Sequence, residues 1–165
     1  MSIFFMFALP RYLTGRVVLA LASVPLMAHA ETGWTETIVG RNVVVRDVDT
    51  IILNQIPIRL NGVDGPEVTT SQGREARRWM VDYLSGKTLK SALSGRRSHD
   101  RHVGVCYAAG QDVGAAAIEA GHALDCERFS NGRYSAFETA SAREEIQSAE
   151  YCEMHADDLH RPSPS

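Results

Sequence analysis

The chain has 165 residues, of which 44% are hydrophobic and 22% charged, with three cysteines and a formal net charge of -3. That length suits one globular domain and excludes two of ordinary size; cysteine is too sparse for a disulfide scaffold, and the composition is not that of a disordered chain. The mildly acidic total also argues against a strongly basic nucleic-acid binder, although a net charge is only an average.

Residues 1–30 carry no acid and two bases, Arg11 and Arg16. After Arg16 come the apolar run Val17–Met27 and then Ala28-His29-Ala30, the three parts of a secretory signal. A run of that length rises only about 16 Å as a helix, against a hydrocarbon core of about 30 Å, so it is short for a membrane anchor. The expected product is a secreted or periplasmic protein cleaved after Ala30. Residues 31–165 keep 15 of the 17 bases and all 20 acids, a net charge of -5. Six of those acids, with Arg161 as the only base, lie in residues 144–165, leaving 14 of each sign in residues 31–143. The acidity belongs to the tail. In the neutral body, Lys87, Lys90, Arg96, Arg97 and Arg101 face only Asp100, a stretch that is either a solvated face or one side of a phosphate site. Export also makes the cysteines oxidisable, and an odd number permits at most one internal bridge. Cys106–Cys126 is the expected pair, with two small buried hydrophobes as the alternative.

Three short strands are expected between Thr37 and Val63. Val43-Val44-Val45 and Thr50–Leu53 are β-branched runs separated by the corner Asp47-Val48-Asp49. Asn54-Gln55 suits a hairpin turn. Ile56, Ile58 and Leu60 then alternate with Pro57, Arg59 and Asn61, which turns Arg59 away from the isoleucines. A helix is expected over residues 72–84, with Ala76, Met80, Val81 and Leu84 on its apolar face and Gly86 as its stop. Lys87–Leu93 and Val103–Ala108 read as strands. Asp112 caps a short Ala-rich helix that Gly121 ends. A last helix is expected from Tyr134 to Ser148, packed through Tyr134, Phe137 and Ile146. The order suits a five-stranded Greek-key barrel of OB type with about three helices in residues 31–150. Residues 151–165 read as a disordered acidic tail, and Cys152, His155 and His160 as part of it rather than as a metal cluster.

Four ionic residues fall at strand ends and corners, where sites are commonly built. Asp49 closes the first corner, Arg59 lies in the third strand, and Asp64 and Glu67 flank Gly65-Pro66 just beyond it. Two carboxylates on adjacent strands suit a hard, oxygen-ligated cation such as Ca²⁺. The same spacings are met by ordinary turn residues bonding their own backbone.

The order of these pieces resembles the staphylococcal nuclease-like (thermonuclease) family. The likeness runs through Asp47-Val48-Asp49-Thr50 and Ile58-Arg59-Leu60-Asn61-Gly62-Val63-Asp64-Gly65-Pro66-Glu67, then Gly73, Ala76, Val103–Tyr107, Gly110–Val113 and Ala120–Ala123, over roughly residues 37–148. The resemblance implies Ca²⁺ held by Asp49, Asp64 and the Gly65 carbonyl, water activated by Glu67, and a phosphate clamped by Arg59 and Arg101. It implies a DNA or RNA substrate, and we expect a monomer. Phe129 lies near where the family presents aromatic rings to the nucleotide. Three departures stand out: Val48 where the family has glycine, Gly65 where it has alanine or threonine, and His99-Asp100 where it has tyrosine and glycine before the second arginine. The last puts a carboxylate beside Arg101, and leaves a catalytically inactive OB-fold module that binds nucleic acid or another polyanion as the competing expectation.

Overall fold

A computed structural model describes residues 33–152. The signal expected in residues 1–30 and the tail from residue 153 onward, with His155 and His160, lie outside the described residues. The strands are β1 (Glu36–Gly40), β2 (Val43–Asp47), β3 (Thr50–Leu53), β4 (Ile56–Leu60) and β5 (Val63–Asp64). Helix α1 (Ser71–Leu84) follows, then β6 (Leu89–Ser98), β7 (Arg101–Ala108), β8 (Gln111–Asp112), α2 (Val113–Glu119), β9 (Leu124–Asp125), α3 (Glu127–Ser130) and α4 (Ala140–Glu145). The result is a mixed α+β fold. Its main sheet has seven strands in the order β1-β6-β7-β4-β3-β2, with β8 added against β7, and β5 pairs separately with β9.

The two edges of that sheet are neighbouring pieces of chain. Only Arg41 and Asn42 separate β1 from β2, yet β1 pairs with β6 at one edge and β2 with β3 at the other. The sheet is therefore curled until its edges approach, and Asn54 joins them: its side chain donates to the Val39 carbonyl (3.1 Å) and its backbone N–H to that of Asn42 (2.9 Å). Asn54 and Gln55 form the expected tight turn, both at positive φ (50° and 70°), where such hairpins prefer them. Sequence reading counts fewer strands because the break at Arg41–Asn42 makes two of one run, and two-residue strands leave no periodicity.

Ile51, Leu53, Ile58, Leu60, Met80, Leu89 and Leu93 fill the core between the curled sheet and α1. Thr70 caps α1, its hydroxyl accepting from the Gly73 N–H (2.9 Å). Gly73, Ala76, Met80 and Leu84 form the buried face at helical spacing. Val81, expected on that face, is exposed, because the stripe runs through Trp79 and Met80 instead. Asp112 caps α2 by accepting from Gly114 and Ala115, and Gly121 follows at φ 77°, the left-handed stop that glycine favours.

Further expectations fail. The single helix from Tyr134 to Ser148 is a 3₁₀ turn (Ser135–Phe137) and α4, separated because Thr139 caps a new helix and Glu138 turns back to accept from Asp125 N–H and pair with Arg143. Phe137 consequently stays exposed, whereas Tyr134 and Ile146 are buried. The disulfide is not Cys106–Cys126 but Cys126–Cys152. Cys106 lies in the middle of β7, fully buried and 2.8 Å from the Ser91 hydroxyl, so its side chain is committed to the core. Cys152 is no solvated tail residue: it is buried in a 3₁₀ turn (Glu150–Cys152) against α3. None of the described helices is long and apolar enough to cross a membrane.

The bridge closes a segment of 26 residues. Its loss through Cys152→Ser should lower the unfolding free energy by about 3 kcal/mol, measured by denaturant unfolding of oxidised wild type and variant. Cys106→Ala should leave the redox sensitivity of unfolding unchanged.

Candidate active site

Strand register brings the key side chains together. Thr50 on β3 is the Cα partner of Arg59 on β4, and Arg59 in turn that of Val103 on β7. Arg101 lies two residues before Val103, so pleating puts it on the same face as Arg59. Both arginines line one cleft of about 400 Å³. Arg96, Arg97 and His99 complete its basic side, Phe129 and Tyr151 its aromatic side, and no carboxylate lines it among the described residues. A body with balanced charges thus brings four arginines into one groove.

A polar chain fixes the two arginines. Arg59 Nη1 forms an ion pair with the Asp49 carboxylate and also meets the Asp49 carbonyl (3.4 Å). The fully buried Thr50 hydroxyl donates to Asp49 Oδ1 (2.8 Å) and accepts from Arg101 Nη1 (3.0 Å). Arg101 is held further by the Ser98 hydroxyl (3.2 Å) and carbonyl (3.4 Å). Asp100, which sequence sets beside the clamp, is spent elsewhere: its carboxylate pairs with Arg46 (3.4 Å) and its carbonyl accepts from Arg97 (2.9 Å). His99 at φ 56° makes the turn between β6 and β7. Ser98 carries no motif of its own; Thr50 closes the Asp47–Thr50 motif, but only the register reveals its contact with Arg101.

Among the described residues lining the cleft, Asp49, Asp64 and Glu67 are absent. Burial, then the neighbouring Asp47 carboxylate, raises the Asp49 pKa, while Arg59 opposes the rise. Asp64 is 5% exposed and accepts from the Ala149 N–H (2.8 Å). Burial raises its pKa too, with Glu67 adding to the rise and Ala149 and Arg59 opposing it. Among the described residues Asp47 Oδ1 is buried with no hydrogen-bond partner. The neighbouring Asp47 and Asp49 carboxylates are oxygen donors of the kind a hard cation takes. Three His, Cys, Asp or Glu side chains do not converge into a ready-made metal cage among the described residues. Glu67 is exposed, its position set by its own carbonyl, which accepts from Thr70 N–H (2.9 Å) and hydroxyl (2.8 Å).

Val48 and Gly65 are packed as a pair. A Cβ added at Gly65 would lie 2.1 Å from Val48 Cγ1 and 3.9 Å from Asp49 Cβ. The space that a Cβ at position 65 would take is filled by Val48, which is buried in the core. That fit keeps the Asp49 corner packed against Asp64-Gly65. Gly73 acts similarly, since a Cβ there would lie 2.0 Å from the Glu67 carbonyl oxygen. Its absence lets α1 press against the Pro66-Glu67 backbone.

The chain is 29% identical over 75 residues to a protein of Oryza sativa subsp. japonica described as a probable staphylococcal-like nuclease, CAN3. The match covers 46% of this chain and 20% of that protein. No protein-family model matches the chain.

Gly65→Ala alone should cost about 1–3 kcal/mol by overpacking against Val48. In the double variant Val48→Ala/Gly65→Ala the cost should fall below the sum of the two single costs by at least about 0.5 kcal/mol, measured as a double-mutant cycle of unfolding free energies.

Proposed function

We propose that this chain is an exported, Ca²⁺-dependent nuclease that hydrolyses phosphodiester bonds of DNA, RNA or both. The observation that carries the reading is the placement of Arg59 and Arg101 on one face of adjacent strands, in a cleft with no acid among its described residues, with Asp49 and Asp64 close enough to Arg59 to feel its charge. The similarity to a staphylococcal-like nuclease supports the same reading. We further read the curled sheet as an OB-type barrel, with β1 and β2 as halves of one bent strand. Counted so, it has five strands and the parallel pair β4–β7 joins the third to the fifth.

Hydrolysis piles negative charge on the phosphate as water attacks phosphorus and the ester oxygen departs. Two fixed guanidiniums facing that position stabilise the charge without reorganising, and each planar fork can bond two phosphate oxygens. Both Asp49 contacts of Arg59 are made by Nη1, which leaves Nη2 and Nε to the substrate. Asp49, Asp64 and the Gly65 carbonyl would hold Ca²⁺, with Asp47 as a further oxygen donor. When bound, the cation supplies positive charge beside the phosphate. Glu67, next to Asp64 and open to solvent, accepts the proton of the attacking water.

The test is cleavage of single-stranded DNA and RNA by residues 31–165 with Ca²⁺ and with chelator. Turnover should require Ca²⁺, and Glu67→Gln should lower kcat by about 10²–10⁴-fold while leaving substrate affinity within a few-fold. Salt-sensitive binding with no cleavage would leave the inactive binding module instead. Raised carboxylate pKa values give a further expectation. Protonation removes Asp49 and Asp64 as ligands, so Ca²⁺ affinity should fall with falling pH, starting above the usual carboxylate range of about 4. Titration calorimetry between about pH 8 and about pH 5 reads this directly. A flat profile through that range would remove the two aspartates as ligands.

A further inference from the structure

The Cys126–Cys152 bridge ties the end of the described chain to the floor of the cleft. Cys126 lines the cleft, and Tyr151, the residue before Cys152, lines it too. The exposed large hydrophobic residues include three aromatics, Phe129, Phe137 and Tyr151, and two of them stand in this one groove. Their ring centroids are 6.4 Å apart with planes at 54°. Phe129 is anchored from below: its carbonyl accepts from the Asn61 side chain (3.1 Å), and Gly62 O accepts from Cys126 N–H (2.9 Å). A Cβ at Gly62 would lie 2.4 Å from Ser130 Cβ, so that glycine lets α3 seat against the end of β4. Among the described residues, no hydrogen bond of this kind anchors Tyr151. It is 52% exposed, and its place depends on the bridge beside it and on Ala149 N–H bonding Asp64.

Four arginines and two exposed rings in one groove match the two chemistries of a nucleotide, a charged phosphate and a flat apolar base. We propose that Tyr151, delivered by the Cys126–Cys152 disulfide, is a specificity residue that contacts the nucleobase of the nucleotide whose phosphate meets Arg59 and Arg101. A base laid on one ring meets the other edge-on, the tilted arrangement aromatic groups favour. The bridge thereby becomes a positioning element: reduction frees the segment that carries Tyr151 while leaving the arginine pair, which rests on Thr50 and Ser98, in place. The inference rests on the nuclease reading of the same cleft.

The test compares fluorescence-anisotropy binding of a short single-stranded oligonucleotide with that of an abasic strand of equal length, by residues 31–165 with Ca²⁺ and the substitution Glu67→Gln to prevent cleavage. Oxidised protein should prefer the base-bearing strand. Tyr151→Ala should lose about fivefold to about 150-fold for that strand, with the abasic strand unchanged, and Tyr151→Phe should keep the preference. Reduction by dithiothreitol, with the fold checked by circular dichroism, should reproduce the Tyr151→Ala result; should the reduced protein unfold, the Tyr151 variants still decide. Equal binding of both strands by oxidised protein, or a Tyr151→Ala variant that keeps the preference, would overturn the proposal and leave the nuclease reading standing. Binding of neither strand would bring down both.

Discussion

Asp49 and Arg59 form an ion pair whose side chains are only 14% and 13% exposed, and the rest of the site is arranged around it. Taking two charges out of water costs several kcal/mol per ion, which their attraction repays only with further hydrogen bonds. Here Thr50 supplies one of them and passes the connection on to Arg101. The chain Arg59–Asp49–Thr50–Arg101 is thus both the condition for burying the pair and the means of aiming two guanidiniums at one cleft. An apolar core of the same volume would hold the sheet as well; it would not hold two cations on one face.

The close backbone approaches around this pair have the same logic. Gly65 admits Val48, Gly73 admits the Glu67 carbonyl, and Gly62 admits Ser130. Each removes a Cβ where two segments must touch, and together they press the Asp49 corner, the Asp64–Glu67 turn, α1 and α3 around the end of β4. Val48 and the missing Cβ at Gly65 fit only as a pair. Packing density constrains their sum, not each residue.

Local chemistry was well expressed in the sequence. The Asn54-Gln55 turn, the Asp112 helix start and the Gly86 and Gly121 stops all depend on neighbours a few residues away. The break of the last helix at Glu138-Thr139 was missed, because Glu138 leaves the helix for partners at Asp125 and Arg143 that no window of periodicity contains. The disulfide was missed for a related reason. Parity of cysteines says that one bridge is possible, but only the register of β7, which turns Cys106 into the core toward Ser91, decides which cysteine is left out.

Sequence alone determined what short-range forces determine: the strand runs, caps and turns, the placement of acids and arginines at strand ends, and the concentration of acid in residues 144–165. It could not say that Arg101 and Arg59 share a face, that Asp100 turns its carboxylate to Arg46, or that Tyr151 stands in the cleft beside Phe129. Those facts follow from strand register and from a covalent link across 26 residues. A register shift of one residue would send Arg101 to the opposite face while leaving every local propensity unchanged.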